Sequence, residues 1–160
     1  MIEPLRLSVD LDCAADHAFD VWTRRLSMWW PKDHSVSGDP ETEIHLEPWV
    51  YGRIFERTPD GTEHDWGRIN RWDPPSHLGY QWHIGRDADA ATDVELTFVA
   101  LDEDRTRLEV VHSGWERLGR EAQDWRNANS AGWGATLRGY RTAVIEIQPR
   151  RDSPDDPLPS

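Results

Sequence analysis

The sequence predicts an α+β fold in which a curved antiparallel sheet of seven strands wraps one long C-terminal helix, with two short helices near the start. Three observations predict it. Between about 121 and 148, Trp125, Asn129, Trp133, Leu137, Tyr140, Val144 and Ile147 recur at steps of three or four, one stripe along a helix. From about 41 to 115 the apolar period changes to two, the spacing of half-buried strands. The links between these runs are short, which favours antiparallel neighbours, and a single long helix can then cover one face of the sheet.

In chain order, Leu5, Leu7, Val9 and Leu11 alternate with polar residues as a first strand. Asp16 is placed to cap a short helix carrying Phe19, Val21, Trp22 and Leu26, with a bend about Ser27 and a stop at Pro31. His34 to Pro40 reads as a loop. Ile44 and Leu46 mark the second strand, 52–57 the third, and the Pro59-Asp60-Gly61 turn leads into a fourth over 63–72. Asp73-Pro74-Pro75 breaks it. Leu78, Tyr80, Trp82 and Ile84 alternate as a fifth strand and Val94, Leu96, Phe98 and Ala100 as a sixth. A hairpin at 102–104 then leads to the seventh, with Leu108, Val110 and His112. Gly132, Gly134 and Gly139 inside the long helix cost roughly 1 kcal/mol each relative to Ala, so tertiary packing must hold it. Glycines beside bulky rings also let a backbone or a ligand come close. Residues 1–148 form one domain; the stretch 149–160, with four prolines and several charges, is expected to be a disordered tail.

Ten Trp stand against three Tyr and three Phe. That excess suits either a core with a polar edge or the wall of a pocket for a partly polar ligand. Thirty acidic residues against 18 basic give a net charge of −12, and no basic patch interleaved with aromatics is present, so nucleic acid is not expected as a partner. The single cysteine, Cys13, allows no internal disulfide and no thiolate zinc cluster. With no apolar signal segment or membrane span, a cytoplasmic location is expected.

Five motifs then carry a resemblance: SMWWPKDHS at 27–35, EPWVYGRIFE at 47–56, DWGRINRWDPP at 65–75, HSGWE at 112–116, and the late Gly132-Trp133 pair. In this order and spacing they resemble the SRPBCC (START-like, polyketide-cyclase-like) domains, and among them the branch of homologues of the activator of the heat-shock protein 90 ATPase. The resemblance spans about residues 3–147 and implies the helix-grip fold, in agreement with the periodicity. One departure is visible: Tyr51-Gly52 stands where the family often has paired glycines, and a larger side chain there would alter the turn or narrow a nearby mouth.

The resemblance also implies a cavity between sheet and long helix that takes hydrophobic or amphipathic small molecules. On this sequence its expected lining is Tyr80, Trp82, Phe98, Val110 and His112 from strands and Trp133, Leu137 and Tyr140 from the helix, with Trp29, Trp30 and His34 closing the mouth. The same rings equally suit a filled core. Trp66 and Trp72 cannot be assigned a face, because one bulge would swap their side. The period-two run aims His112 inward, where its imidazole needs a partner, a structural carboxylate or a ligand. Glu47, Arg53 and Glu56 are either a polar end of the cavity or hairpin ion pairs. The scattered His45, His64 and His83 show no metal-ligand spacing, and neither metal nor cofactor is called for. Three functions follow as expectations. The first is binding of a small apolar or aromatic molecule, since no nucleophile, phosphate loop or metal motif is recognisable. The second is a cyclase or dehydratase using His112 as acid and base. The third, from the branch name, is regulation of a heat-shock ATPase. A homodimer is compatible with the sequence but nothing compels one.

Overall fold

The computed structural model describes residues 2–149, so apart from Pro149 the expected tail lies outside the described residues. The elements run β1 (Leu5–Leu11), α1 (Ala15–Thr23), α2 (Leu26–Trp29), β2 (Glu43–Leu46), β3 (Arg53–Arg57), β4 (Glu63–Asp73), β5 (His77–Trp82), β6 (Thr92–Asp102), β7 (Arg105–Ser113) and α3 (Ala122–Glu146). Short 3₁₀ segments at Ala88–Ala90 and Trp115–Glu121 complete the elements among the described residues. The seven strands form one curved antiparallel sheet in the order β1-β7-β6-β5-β4-β3-β2, so the first strand joins the last, with Leu5 opposite His112 and Leu11 opposite Thr106. This is the architecture expected from the periodicity.

The helices close the concave face. Tyr140, Val144 and Leu137 of α3 are buried beside Phe19 and Trp22 of α1 in one continuous core. Polar ties fix the packing: the Tyr140 hydroxyl donates to the Ala18 carbonyl at 2.5 Å, and His17 Nε2 meets the Val144 carbonyl at 2.9 Å. Arg126 caps the start of β1 by donating to the carbonyl oxygen of Glu3 at 2.6 Å.

Local boundaries differ from the sequence reading for identifiable reasons. The cap of α1 is Ala14, not Asp16; the acid sits in the first turn, where its carboxylate accepts the His17 N–H and suits the positive end of the helix. The break between the short helices falls at Arg24 and Arg25 rather than at Ser27. Ser27 lies within α2, and its hydroxyl oxygen accepts both the Ile44 N–H and Lys32 Nζ, joining α2 to β2. The fifth strand ends at Trp82 because a turn at His83–Arg86, with Gly85 at φ 71°, lifts Ile84 out of the alternation.

The open question of β4 resolves through two irregularities. Pairing with β3 skips Trp66, and pairing with β5 skips Asn70. Each skipped residue flips the alternation, so Trp66, Ile69 and Trp72 all reach the concave face. Trp66 and Ile69 are fully buried, and Trp72 packs edge-on against Phe19 at 5.1 Å. The first irregularity also requires Gly67: a Cβ there would sit 2.0 Å from the Gln81 carbonyl oxygen.

Candidate functional site

The hollow closest to the expected compartment lies between β5 and the first half of α3 and has a volume of about 390 Å³. Alternation on β5 turns Tyr80 and Trp82 into it, and the turn after Trp82 brings Ile84 and Gly85 to its edge. Helical spacing on α3 presents Trp125, Asn129, Gly132, Trp133 and Thr136 from the other side. The segment between α2 and β2 supplies the third wall, through Trp30, His34, Ser35 and Val36. Of the wider hollows, the two of about 910 and 730 Å³ lie around the C-terminal end of α3, one beside Arg24, Arg25 and Leu46 and one beside Asp12, His17 and Pro74. Phe19 is the one Trp, Tyr or Phe in their walls, so they lack the aromatic character that marks the β5–α3 compartment.

The cavity wall is a connected set of rings. Trp30 lies 5.7 Å from Trp82 and from Trp66, which is fully buried behind the wall, and Tyr80 lies 5.6 Å from Trp82. Behind them Trp22 stacks on Trp133 at 6.0 Å. The indole N–H groups of three wall residues are spent on the protein itself: Trp30 donates to the His34 carbonyl at 3.1 Å, Trp125 to Glu121 at 3.2 Å and Trp133 to His112 at 2.9 Å. Trp30 and Trp133 are buried, at 8% and 7% exposure, and Trp125 is half-buried. Outside the wall, the Arg86 guanidinium rests 4.8 Å from the Trp125 ring centre.

Two polar groups at the mouth keep spare capacity. The Asn129 amide donates to the Trp125 carbonyl at 2.8 Å, which orients its Oδ1 acceptor away from that bond. The His34 imidazole lines the cavity, half-buried, and makes no hydrogen bond with the described residues. Ser35 and Thr136 turn their hydroxyl protons to the Lys32 and Gly132 carbonyls.

Of the ten residues expected to line the site, Trp30, Tyr80, Trp82 and Trp133 border this cavity. The other six sit elsewhere. Phe98 packs edge-on against Phe19, Tyr140 and Trp29 contact Trp22, and Val110 and Leu137 belong to the closed core. His112 is fully buried behind Trp133. Its Nδ1 accepts the Trp133 N–H and its Nε2 lies 2.7 Å from the Thr92 hydroxyl, so its partners are an indole and an alcohol rather than a carboxylate or a ligand. Burial, with the Arg86 charge nearby, pushes the imidazole down to about 3, and it is neutral at physiological pH. Burial also pushes the Tyr80 phenol up, so it stays protonated.

Glu47, Arg53 and Glu56 do not border the cavity. Arg53 belongs to a surface network with Glu47, Glu63 and Asp65 at 3.8, 3.2 and 3.4 Å. Glu56 is fully buried and hydrogen-bonded to the segment that carries His34 and Val36. Trp125, Asn129, Ile84 and Thr136 border the cavity without having been assigned to it from sequence. Trp125 and Asn129 were visible as members of the α3 stripe. The three helical glycines receive no backbone contact, and Gly132 opens onto the cavity. Among the described residues no group of three or more His, Cys, Asp or Glu is placed to hold a metal ion, and no helix is long and apolar enough to cross a membrane.

The model of the family described as Activator of Hsp90 ATPase homolog 1-like protein matches residues 12–144. No curated protein matches the sequence. Among solved structures, an anthrahydroquino-gamma-pyrone synthase, Txn09, is 35% identical, with 77% of this chain and 84% of that chain covered and a TM-score of 0.54. The self-sacrificing resistance protein CalC from Micromonospora echinospora is 27% identical over 90% of this chain and 95% of that chain, with a TM-score of 0.68. The Aha1 dimer from Colwellia psychrerythraea, 14% identical over 89% and 96% with a TM-score of 0.66, shares the fold.

Proposed function

The chain belongs to the family of Activator of Hsp90 ATPase homolog 1-like proteins, and on that premise we propose that it binds a small, flat, apolar or aromatic molecule in the cavity between β5 and the first half of α3. The observation that carries this reading is the cavity wall: four indoles and a phenol around about 390 Å³, with the N–H groups of Trp30, Trp125 and Trp133 already engaged. Such a wall is rich in aromatic rings and poor in charge, and the volume falls within the roughly 300–1,000 Å³ of small-molecule sites. His34 and Asn129 at the mouth suit hydroxyl or carbonyl groups on the edge of a ring system.

The 35% identity to a protein named as a synthase of a fused-ring pyrone favours a second reading, turnover of a polycyclic substrate in the same cavity. His112 does not serve it, because both ring nitrogens are engaged behind Trp133. A proton-transfer role would fall to His34, which lines the cavity with a free imidazole.

Native mass spectrometry of the purified chain against its denatured mass, followed by a thermal-shift series with naphthalene- and anthracene-sized compounds, tests binding. A retained small molecule, or a shift that grows with compound concentration, is expected. No adduct and no shift at any ring size would overturn it. The same compounds followed by chromatography for product formation, with His34→Ala as comparison, separate binding from turnover.

A further inference from the structure

The segment 31–42, which forms one rim of the cavity, has little apolar material to hold it. Val36, Ser37 and Gly38 are exposed, and ordering each backbone residue costs about 1–2 kcal/mol. At its base Lys32 Nζ donates to the Ser27 and Thr42 carbonyls at 3.1 and 2.9 Å. Its tip is held from β3. The Glu56 carboxylate accepts from the Val36 and Ser37 N–H groups, from the Ser37 hydroxyl at 2.7 Å and from the Thr42 hydroxyl at 2.9 Å. The Trp66 indole N–H reaches the same carboxylate at 3.1 Å, and Trp66 packs against Trp30 and Trp82 of the cavity wall.

Glu56 is fully buried, and none of the ion pairs among the described residues includes it. The Lys32 ammonium acts on it only through space, and a buried carboxylate without a directly paired cation is a poor choice for stability alone, since an apolar residue of similar volume avoids the desolvation. What it supplies instead is geometry: one side chain bonded both to the loop rim and to Trp66, the ring that backs the indole wall.

We propose that Glu56 is a positioning residue for the cavity, pinning the 31–42 segment to Trp66, which backs the Trp30 and Trp82 wall, and so setting which molecules enter and how fast they leave. This rests on the binding reading above for its consequence, but the pin itself is a property of the free protein. Burial raises the carboxyl, and the bonds from Ser37, Thr42, Trp66 and Val36 outweigh it, leaving the group ionised at neutral pH.

Hydrogen exchange of the full chain, read by peptide, tests the pin in Glu56→Gln and in the double variant Ser37→Ala/Thr42→Val, which leaves β3 unaltered. Exchange of peptides spanning 33–42 is expected to rise about tenfold, with β5 and α3 peptides unchanged. In stopped flow, dissociation of the fluorescent probe 1-anilinonaphthalene-8-sulfonate should quicken by a similar factor. Unchanged exchange over 33–42, or a rise spread evenly over the sheet, would overturn the proposal. A slowed or unaltered probe release alongside faster loop exchange would do the same for its control of the mouth. If the wild-type chain binds neither this probe nor any compound of the thermal-shift series, the binding reading fails, while the exchange result still decides whether Glu56 holds the segment.

Discussion

The indole N–H of Trp133 ends on Nδ1 of His112, 2.9 Å away, and this bond fixes the state of the imidazole. Nδ1 must keep its lone pair, so the proton sits on Nε2 and is donated to Thr92 Oγ1 at 2.7 Å; the Thr92 hydroxyl passes its own to the Trp82 carbonyl at 3.2 Å. A chain of three bonds thus runs from the helix through β7 and β6 to β5, and it has room for one proton arrangement.

Acid should find this chain. The imidazole is held down to about 3 in the fold, first by burial and then by Arg86, against about 6.5 when unfolded. Between those values the unfolded chain binds the extra proton, so stability is full above pH 6.5 and falls as pH drops, by at most about 1.4 kcal/mol per unit. Urea midpoints of the wild type should decline between pH 6.5 and 4.5 more steeply than those of His112→Gln. Parallel curves would assign the loss to other groups.

Removing the donor tests the same bond at neutral pH. Trp133→Phe keeps a ring against Trp22 but leaves Nδ1 buried without a partner, so a loss of about 1–3 kcal/mol is expected. In a His112→Leu background the same change should cost about 1 kcal/mol less, because the partner is already gone. A double-mutant cycle by urea denaturation measures the difference, and strict additivity would contradict the bond's role.

These contacts mark how far the sequence could be read. Alternation placed Tyr80, Trp82, Val110 and His112 on the concave face, because a strand's two faces differ only in burial and the pattern records that directly. The partners of His112 were not readable, since Thr92 and Trp133 lie 20 and 21 residues away and no local pattern links an imidazole to either. Trp66 and Trp72 were ambiguous for a physical reason: β4 skips two residues, and a skip is invisible to a period-two count. The α3 stripe was legible as one surface, yet Trp125, Asn129 and Trp133 border the aromatic cavity while Leu137 and Tyr140 lie in the closed core. That division depends on how far the helix stands from the sheet, which periodicity does not encode.

Tyr51 is the departure from the family's paired glycines, and the fold shows what it costs. Its φ of 70° lies in the left-handed region, held there by backbone bonds from its N–H to the Ile69 carbonyl and from the Ile69 N–H to the Gly52 carbonyl, both 2.8 Å. The side chain is 73% exposed and does not border the cavity, so the expected narrowing of a mouth does not occur. Tyr51→Gly should therefore relieve strain and raise stability by about 0.5–1 kcal/mol while leaving ligand affinity unchanged. Thermal denaturation with and without a bound aromatic compound reads both; a lowered midpoint would mean that the phenol makes contacts that offset the strain.

Gly132 and Gly139 form the sharpest comparison for the cavity. Both lie inside α3, and a Cβ added at either meets no atom within 4 Å. Replacing either by Ala should stabilise the helix by up to about 1 kcal/mol, since Gly is the least favourable non-proline residue in a helix interior. Only Gly132 borders the cavity. Extending the side chain to Leu should then separate the two: Gly139→Leu keeps the stability gain and the affinity, whereas Gly132→Leu drives an isobutyl group between Trp125 and Trp133 and weakens binding of a planar aromatic by about tenfold or more. Isothermal titration of both variants beside their melting temperatures decides it. If Gly132→Leu binds as well as Gly139→Leu, the ligand does not occupy this cavity, however the indoles are arranged around it.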